Sequence, residues 1–291
     1  MQKRPSFVYS KPLPVFSSTR PRPAMPVRSP LVSLLFAAGL LALLLPAGCS
    51  PSPDDADSAP ASAADTPVPD SVNTLTDAER AAGWRPLFDG TSLTGWRGFR
   101  RDSVPRGWTV ENGAMHFTGA ASSQDGAPPL TLVTADRYGD VELRLEWKLA
   151  AEGNSGVLYR VSEEEPLPYM TGPEYQLLDP AVLGDSARAE LPGALFGLVA
   201  PSTDASRPVG QYNETRIVLR GPHVEHWLNG TKLLEVEIGS DRWTRRIEGT
   251  KFANWPRFAR PDSGRIALQD HGHPVWFRDV KVRPLPAPSG S

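Results

Sequence analysis

The chain lacks the features of several protein classes. Its 291 residues include a single cysteine, Cys49, so no disulfide bond can form within it. Its 31 Lys and Arg do not outnumber its 33 Asp and Glu, and no polybasic patch favours nucleic acid as a partner. A repeat of β-propeller blade length and a strong zinc-binding spacing such as His-x-x-x-His are also missing. These absences favour a globular domain that is stabilised by its hydrophobic core.

The first 48 residues have the composition of an export signal. They contain no acidic residue and end in an apolar run, residues 31–45, that is shorter than the roughly 20 residues of a transmembrane helix. The residues that follow, Pro46-Ala47-Gly48-Cys49-Ser50, resemble the bacterial lipobox, in which the cysteine is lipidated. We therefore predict a lipoprotein signal peptide over residues 1–48 and lipidation at Cys49. Removal of the signal peptide would take away six basic residues, so the formal net charge would change from −2 to −8.

The predicted mature chain has three parts. Residues 49–73 are rich in Ser, Pro, Ala and Asp, which predicts a disordered tether. A folded domain is expected over residues 74–286, beginning with a short helix whose capping box is Thr76 and Glu79. Residues 287–291 form a tail. Ser50 after the lipidated cysteine resembles an outer-membrane sorting signal, so we expect a cell-envelope lipoprotein, anchored to the membrane by its lipid, on the periplasmic side of the outer membrane.

The folded domain has the pattern of an all-β protein. Asn112-Gly113 and Asn229-Gly230 each separate two alternating runs, which is the strongest short-range signal of a β-hairpin. Residues 141–149 alternate without a fault, with apolar side chains at the odd positions and charged ones at the even positions. Many short strands with few helical periods predict an antiparallel β-sandwich or jelly roll.

Seven short phrases stand in order along this domain, and together they resemble the bacterial 3-keto-disaccharide hydrolase family over about residues 84–284. The resemblance implies a concanavalin-like antiparallel β-sandwich that acts on oxidised glycosides, and hence a small carbohydrate substrate. The phrases are Phe88-Asp89-Gly90 with Leu93-Thr94-Gly95-Trp96, Gly153-Asn154-Ser155-Gly156-Val157, Glu174-Tyr175-Gln176, Gly210-Gln211-Tyr212-Asn213-Glu214, Trp227-Leu228-Asn229-Gly230, Gly264-Arg265-Ile266-Ala267-Leu268-Gln269-Asp270-His271-Gly272, and Phe277-Arg278-Asp279-Val280.

Two residues are the candidates for proton transfer. Glu174 and Gln176 are two apart, so on a strand they point the same way, and a carboxylate beside an amide suits a sugar. His271 belongs to the densest cluster of acid–base groups, Gln269-Asp270-His271-Gly272-His273, and histidine titrates near neutral pH. We predict Glu174 and His271 as the catalytic pair and leave open which of them is the base.

The chemistry that the resemblance implies is elimination followed by hydration. A ketone at C3 acidifies the C2 proton, a base removes it, and the resulting enolate expels the aglycone from C1 before water adds back. This route avoids the oxocarbenium ion of ordinary glycosidases. Arg160, Asn154 or a divalent metal are the candidates for stabilising the enolate.

The remaining candidates are substrate-binding residues. A hard cation such as Ca²⁺ or Mg²⁺ is left open, with Glu146, Glu174, Asp270 and His271 as its possible ligands. For sugar stacking, Trp227, Tyr169, Tyr175 and Trp255 are expected at half-exposed sites, whereas Trp96, Trp108, Trp147 and Trp276 are expected in the core. A non-catalytic, lectin-like carbohydrate-binding module on the same fold is the alternative function. The predicted substrate-binding set is Glu146, Asn154, Arg160, Gln176, Asn213, Gln269 and Asp270.

Overall fold

A computed structural model describes residues 72–119, 129–183 and 188–286. The predicted signal peptide, Cys49, most of the tether and the tail lie outside these residues. Within the described part, no helix is long and apolar enough to cross a membrane. Asn73, the last residue of the predicted tether, donates from Nδ2 to Gly113 O at 2.8 Å and accepts from Asp279 N at 2.8 Å.

The secondary structure consists mainly of strands. The described helices are α1 (Asp77–Ala81) and α2 (Asp241–Ile247), with 3-10 turns at Pro168–Met170, Pro180–Val182, Arg188–Glu190 and Lys251–Asn254. The strands are β1 (Arg85–Pro86), β2 (Trp96–Gly98), β3 (Trp108–Glu111), β4 (Ala114–Phe117), β5 (Leu132–Thr134), β6 (Val141–Leu149), β7 (Asn154–Val161), β8 (Glu174–Leu178), β9 (Asn213–Arg220), β10 (His223–Leu228), β11 (Thr231–Glu237), β12 (Arg265–Leu268) and β13 (Val275–Pro284).

These strands form two antiparallel sheets, which confirms the predicted sandwich. The larger sheet has eight strands in the order β11-β10-β9-β6-β13-β4-β3, with β1 paired to β13, and the smaller has five in the order β2-β5-β12-β7-β8. Both predicted Asn-Gly turns join hairpins, β3–β4 and β10–β11, and the asparagines have the positive φ that such turns require. The capping box of α1 is also present.

The hydrophobic core lies between the two sheets. Alternate residues of β6, such as Leu143 and Trp147, pack with Val157 and Tyr159 of β7 in one buried cluster, as the period of two requires. Trp96, Trp108 and Trp147 are buried as predicted. Trp276 is a correction: it is partly exposed, because an even position of β13 faces away from the core, and its ring stacks on His116 at 4.4 Å.

The five-stranded sheet is also covered on its outer face. A second buried cluster there consists of Phe99, Val133, Leu158, Val161 and Ala267. Every residue of β8 is buried, so polar side chains on either face of this strand are removed from water. This double coverage determines the electrostatics of the site described below.

The free edge of β8 is closed by residues 193–196. Gly193 N donates to Gln176 O at 2.9 Å, and Phe196 N donates to Glu174 O at 3.0 Å. His226 of β10 anchors this segment from inside the core, with its Nδ1 3.0 Å from Gly193 O and its Nε2 3.1 Å from the Tyr159 hydroxyl. Because a carbonyl oxygen only accepts, Nδ1 carries the proton and Nε2 accepts from the tyrosine.

Burial lowers the pKa of His226 to about 4, which makes stability depend on pH. The unfolded chain takes up this proton near pH 6.5 and the folded chain only near pH 4. The stability that neutral His226 contributes is therefore present above pH 6.5 and is lost as the pH falls to 4, by roughly 3 kcal/mol at about 1.4 kcal/mol per pKa unit.

We expect His226→Gln to remove this part of the pH dependence, because glutamine does not titrate. Urea unfolding at pH 7, 6, 5 and 4 measures it as the difference between the wild-type and variant free energies of unfolding. His223→Gln is the control, since His223 has a raised pKa beside Glu225 and Glu237 and its loss changes the slope in the opposite sense. Parallel curves for the wild type and His226→Gln would contradict the prediction.

Candidate active site

The site is centred on Glu174, the first residue of β8. Tyr175 and Leu177 belong to the central core, so Glu174 and Gln176 point to the outer face of the five-stranded sheet, as predicted from their spacing. Glu174 pairs with Leu158 and Gln176 pairs with Gly156 across β7. Glu174 is only 8% exposed.

The Glu174 carboxylate lies directly over Gly156. A Cβ atom built on Gly156 would overlap the Glu174 carboxylate and lie 2.8 Å from its Cγ. The glycine therefore provides the space in which the carboxyl group is seated, and any other residue at 156 would displace it.

Burial raises the pKa of Glu174 from 4.5 to about 8, because the ionised form loses its hydration. Two groups act in the opposite direction: the positive charge of Lys251 and a hydrogen bond from the side chain of Gln269 both favour the carboxylate, without overcoming burial. Glu174 consequently exchanges a proton near neutral pH, which is the property required of an acid–base catalyst.

Three of the predicted binding residues surround this carboxyl group. Gln269 follows β12, and its backbone N–H donates to Gly156 O at 2.9 Å. Gln176 donates from Nε2 to Asn154 Oδ1 at 3.2 Å. The Oε1 atoms of Gln176 and Gln269 are buried and accept no hydrogen bond from the described residues. Two buried acceptors without donors are costly unless a ligand satisfies them, and sugar hydroxyl groups are suitable donors.

Asp270 and His271 follow Gln269 in the chain and differ in exposure. Asp270 is buried and accepts from Thr131 Oγ1 at 2.7 Å. His271 is exposed in the loop between β12 and β13. This loop leaves the sheet beside Ser155, whose hydroxyl donates to Gln269 O at 2.8 Å, and so at the end of the sheet where Asn154 lies.

Two of the predicted sugar-stacking residues contact each other. Tyr169 and Trp255 are partly exposed, with ring centroids 5.4 Å apart, as expected of sugar-stacking residues. The charge of Glu174 contributes, after burial, to a raised pKa of Tyr169, which places the two side chains near each other. Tyr175 is a correction: it is fully buried in the core and donates to Trp227 O, because the odd positions of β8 face inwards. Trp227 lies on the other sheet.

The structure separates Glu146 and Asn213 from this group, although they were expected with it. Both belong to the eight-stranded sheet, on β6 and β9. Glu146 forms an ion pair with Arg278 at 2.7 Å. Asn213 is buried and accepts from Arg207 N at 2.7 Å and from Asn229 Nδ2 at 2.8 Å, which holds loops rather than a ligand.

Arg160, a predicted substrate-binding residue, does not form an ion pair with Glu174. Its backbone has a φ of 54°, opposite a register shift between β7 and β12. Leu158 and Val161 both face the outer cluster, so the alternation of β7 is broken at this residue. The guanidinium instead donates to Gly221 O at 2.7 Å and lies 3.5 Å from Asp140.

The four predicted metal ligands do not converge, since Glu146 lies on the other sheet. Within the described residues, the group whose atoms are close enough for an ion is His223, Glu225 and Glu235, on the eight-stranded sheet. Lys232 Nζ already lies 2.6 Å from Glu235 and 3.7 Å from Glu225, so this group has its own positive charge.

Sequence reasoning missed Lys251. It begins the 3-10 turn that precedes Trp255, and its charge acts on Glu174. A lysine in an irregular loop has no periodicity from which its neighbours can be inferred, so only the folded structure brings it to β8.

Glu174→Gln is expected to increase the free energy of unfolding at pH 7 by roughly 3 kcal/mol, at about 1.4 kcal/mol per pKa unit. The unfolded glutamate ionises near pH 4.5, whereas the folded one keeps its proton to about pH 8. The stability of the buried neutral acid is thus fully present below pH 4.5 and is lost as the pH rises to 8, while glutamine never ionises.

Urea unfolding between pH 5 and 8 tests this expectation, and the advantage of the variant should grow with pH. Glu146→Gln is the matched control, because it removes a carboxylate that is ion-paired on the other sheet and should not stabilise the protein. A difference that does not vary with pH would contradict the assignment of a neutral, buried Glu174.

Comparison with known proteins agrees with this geometry. The chain is 32% identical over 244 residues to the 3-keto-disaccharide hydrolase of Bacteroides thetaiotaomicron, covering 74% of this chain and 82% of that protein. A crystal structure of a candidate glycosyl hydrolase from Parabacteroides distasonis has a TM-score of 0.68 and 33% identity, covering 74% of this chain and 100% of the other. Another from the same organism has a TM-score of 0.52 and 26% identity, covering 69% and 99%.

The family match covers the folded domain. Residues 83–283 match the 3-keto-alpha-glucoside-1,2-lyase-like domain, which includes Gly156, Glu174, Lys251 and Gln269. The protein therefore belongs to the 3-keto-alpha-glucoside-1,2-lyase-like family.

Proposed function

We propose that this protein is a glycoside-cleaving enzyme that acts on 3-keto-glycosides, such as 3-keto-disaccharides, by elimination of the aglycone and hydration of the product. The observation that carries the proposal is the buried carboxyl group of Glu174, seated over Gly156 beside two amide oxygens without donors. Family membership and the relative named 3-keto-disaccharide hydrolase support the substrate class.

Glu174 is suited to act as the base. A carboxylate whose pKa is about 8 is a stronger base than an ordinary glutamate, and it is still ionised in a useful fraction near neutral pH. It takes the C2 proton, which the neighbouring C3 ketone acidifies, and can return a proton to C2 when water adds.

The neighbouring residues supply orientation and the acid. The Oε1 atoms of Gln176 and Gln269 accept from sugar hydroxyl groups, and the rings of Tyr169 and Trp255 stack on the sugar. His271, exposed on the adjacent loop, protonates the leaving oxygen. The ion pair of Glu146 and the buried amide of Asn213 have no part in this chemistry.

Turnover of a 3-keto-glucoside tests the proposal directly. We expect kcat/KM to rise with pH to a plateau above about pH 8, since the base must be ionised. Glu174→Gln should lower it by roughly 10²–10⁴-fold, the usual contribution of a general base. Gly156→Ala should also lose activity while remaining folded, because its methyl group displaces the carboxylate, and His271→Ala should lose the acid.

Glu146→Gln is the matched control and should retain wild-type activity. Parallel assays with EDTA and with added Ca²⁺, Mg²⁺ or Mn²⁺ determine whether a cation takes part. Saturable sugar binding without cleavage under any of these conditions would contradict the proposed enzymatic function and would favour a lectin-like binding module.

The proposal includes a location in the cell envelope. A signal peptide over residues 1–48 and a lipid on Cys49 would tether the domain, through residues 49–73, to the periplasmic side of the outer membrane. We expect radiolabelled palmitate to be incorporated into the wild-type protein in growing cells and not into Cys49→Ser. Equal labelling of the two proteins, or recovery of both in the soluble fraction, would refute the anchor.

A further inference from the structure

Lys251 is held in a defined position at the site. It opens the 3-10 turn Lys251–Asn254, in which Thr250 Oγ1 accepts from Phe252 N at 3.3 Å and donates to Ile247 O at 2.6 Å. Phe252 is buried in the central core. The backbone of Lys251 is therefore attached to the core although its side chain is exposed.

The ammonium group of Lys251 lies among three aromatic rings. Its Nζ is 4.6 Å from the ring centroid of Phe196, 5.4 Å from that of Phe252 and 6.0 Å from that of Trp255. Cation–π contacts at these distances favour a positive charge without neutralising it. Phe196 is also the residue whose backbone N–H donates to the backbone carbonyl of Glu174 at 3.0 Å, so the ammonium contacts a residue that is hydrogen-bonded to Glu174.

Lys251 and Glu174 are near each other without forming an ion pair. The charge of Lys251 is felt at Glu174, yet no salt bridge within 4.0 Å joins the two. Among residues 72–119, 129–183 and 188–286, no carboxylate forms a salt bridge with this lysine. The positive charge of Lys251 is therefore near Glu174 without being neutralised by a carboxylate of these residues.

The arginines of the same sheet are engaged elsewhere. Arg97 and Arg265 both pair with Glu163, at 2.5 Å and 2.8 Å. Arg160, a predicted stabiliser of the enolate, is directed towards Asp140 and Gly221. In contrast to these three arginines, Lys251 forms no ion pair within the described residues, so its charge is available to a negatively charged reaction intermediate.

We propose that Lys251 is the group that stabilises the enolate oxygen formed at C3 of the substrate. This inference rests on the proposed function. As the C2–H bond breaks, its electron pair forms the C2–C3 double bond, the carbonyl pair moves onto O3, and Glu174 takes the proton. The Lys251 ammonium keeps its protons and donates a hydrogen bond to the O3 anion.

The following step returns the charge. The O3 electron pair restores the carbonyl, the C2–C3 pair forms the C1–C2 double bond, and the C1–O bond breaks with its electrons on the aglycone oxygen, which takes a proton from the acid. Water then adds its hydroxyl to C1 and a proton to C2. Lys251 is unchanged at the end, so no other reactant is needed.

Proton exchange separates enolate formation from bond cleavage. In D₂O, the wild-type protein should exchange the C2 proton of 3-keto-glucose for deuterium, as followed by ¹H NMR. Lys251→Met should lower both this exchange and kcat on a 3-keto-glucoside by about 100-fold, the typical effect of removing one oxyanion donor. Lys251→Arg should recover most of the rate, because it keeps the charge.

Several outcomes distinguish the inference from its premise. Lys232→Met is the control, because Lys232 belongs to β11 on the other sheet. Its exchange and cleavage rates should match those of the wild type. Normal exchange and cleavage by Lys251→Met would overturn the role of Lys251 alone, whereas a wild type that neither exchanges nor cleaves would overturn the proposed function. If borohydride traps the ketone covalently on Lys251 and the Lys251→Arg variant is inactive, the lysine forms an imine with the substrate. That outcome would contradict the electrostatic role.

Discussion

The burial of both faces of the five-stranded sheet is the constraint on which the site depends. One face packs on the central core, and the other carries its own cluster around Phe99 and Leu158. Residues 193–196 close the free edge of β8, so Glu174 is withdrawn from water on every side except that of the site. Its raised pKa follows from this lack of hydration rather than from any single neighbour.

One buried glutamate on each sheet has a shifted pKa, and the two shifts have opposite directions. Glu142 of the larger sheet is also buried, but hydrogen bonds from Arg283 and Arg216 outweigh the effect of burial and lower its pKa. Among the residues that the structure describes, no cation lies within ion-pair distance of Glu174, and its pKa is raised. These two buried glutamates thus have pKa values shifted in opposite directions, because hydrogen bonds from arginines stabilise the ionised form of one and burial without such partners disfavours the ionised form of the other.

Local patterns predicted much of the fold and part of the site. The alternation of β6, both Asn-Gly turns and the capping box of α1 are present where they were expected, since each depends on neighbours in sequence. The shared face of Glu174 and Gln176 follows from the same period. Tyr175 was placed wrongly, because alternation does not tell which face is covered. The bulge that redirects Arg160 has no local sequence signal either.

The sequence by itself determined the all-β class, the hairpins, the family and the shared face of Glu174 and Gln176, because these depend on local periodicity and on short phrases of residues. Only the tertiary structure decided that Glu146 and Asn213 lie on the other sheet, that Gly156 seats the carboxyl group, and that the charge of Lys251 acts on it from a distant loop. The physical reason is that burial and electrostatic environment are properties of packed neighbours, which residues distant in sequence provide.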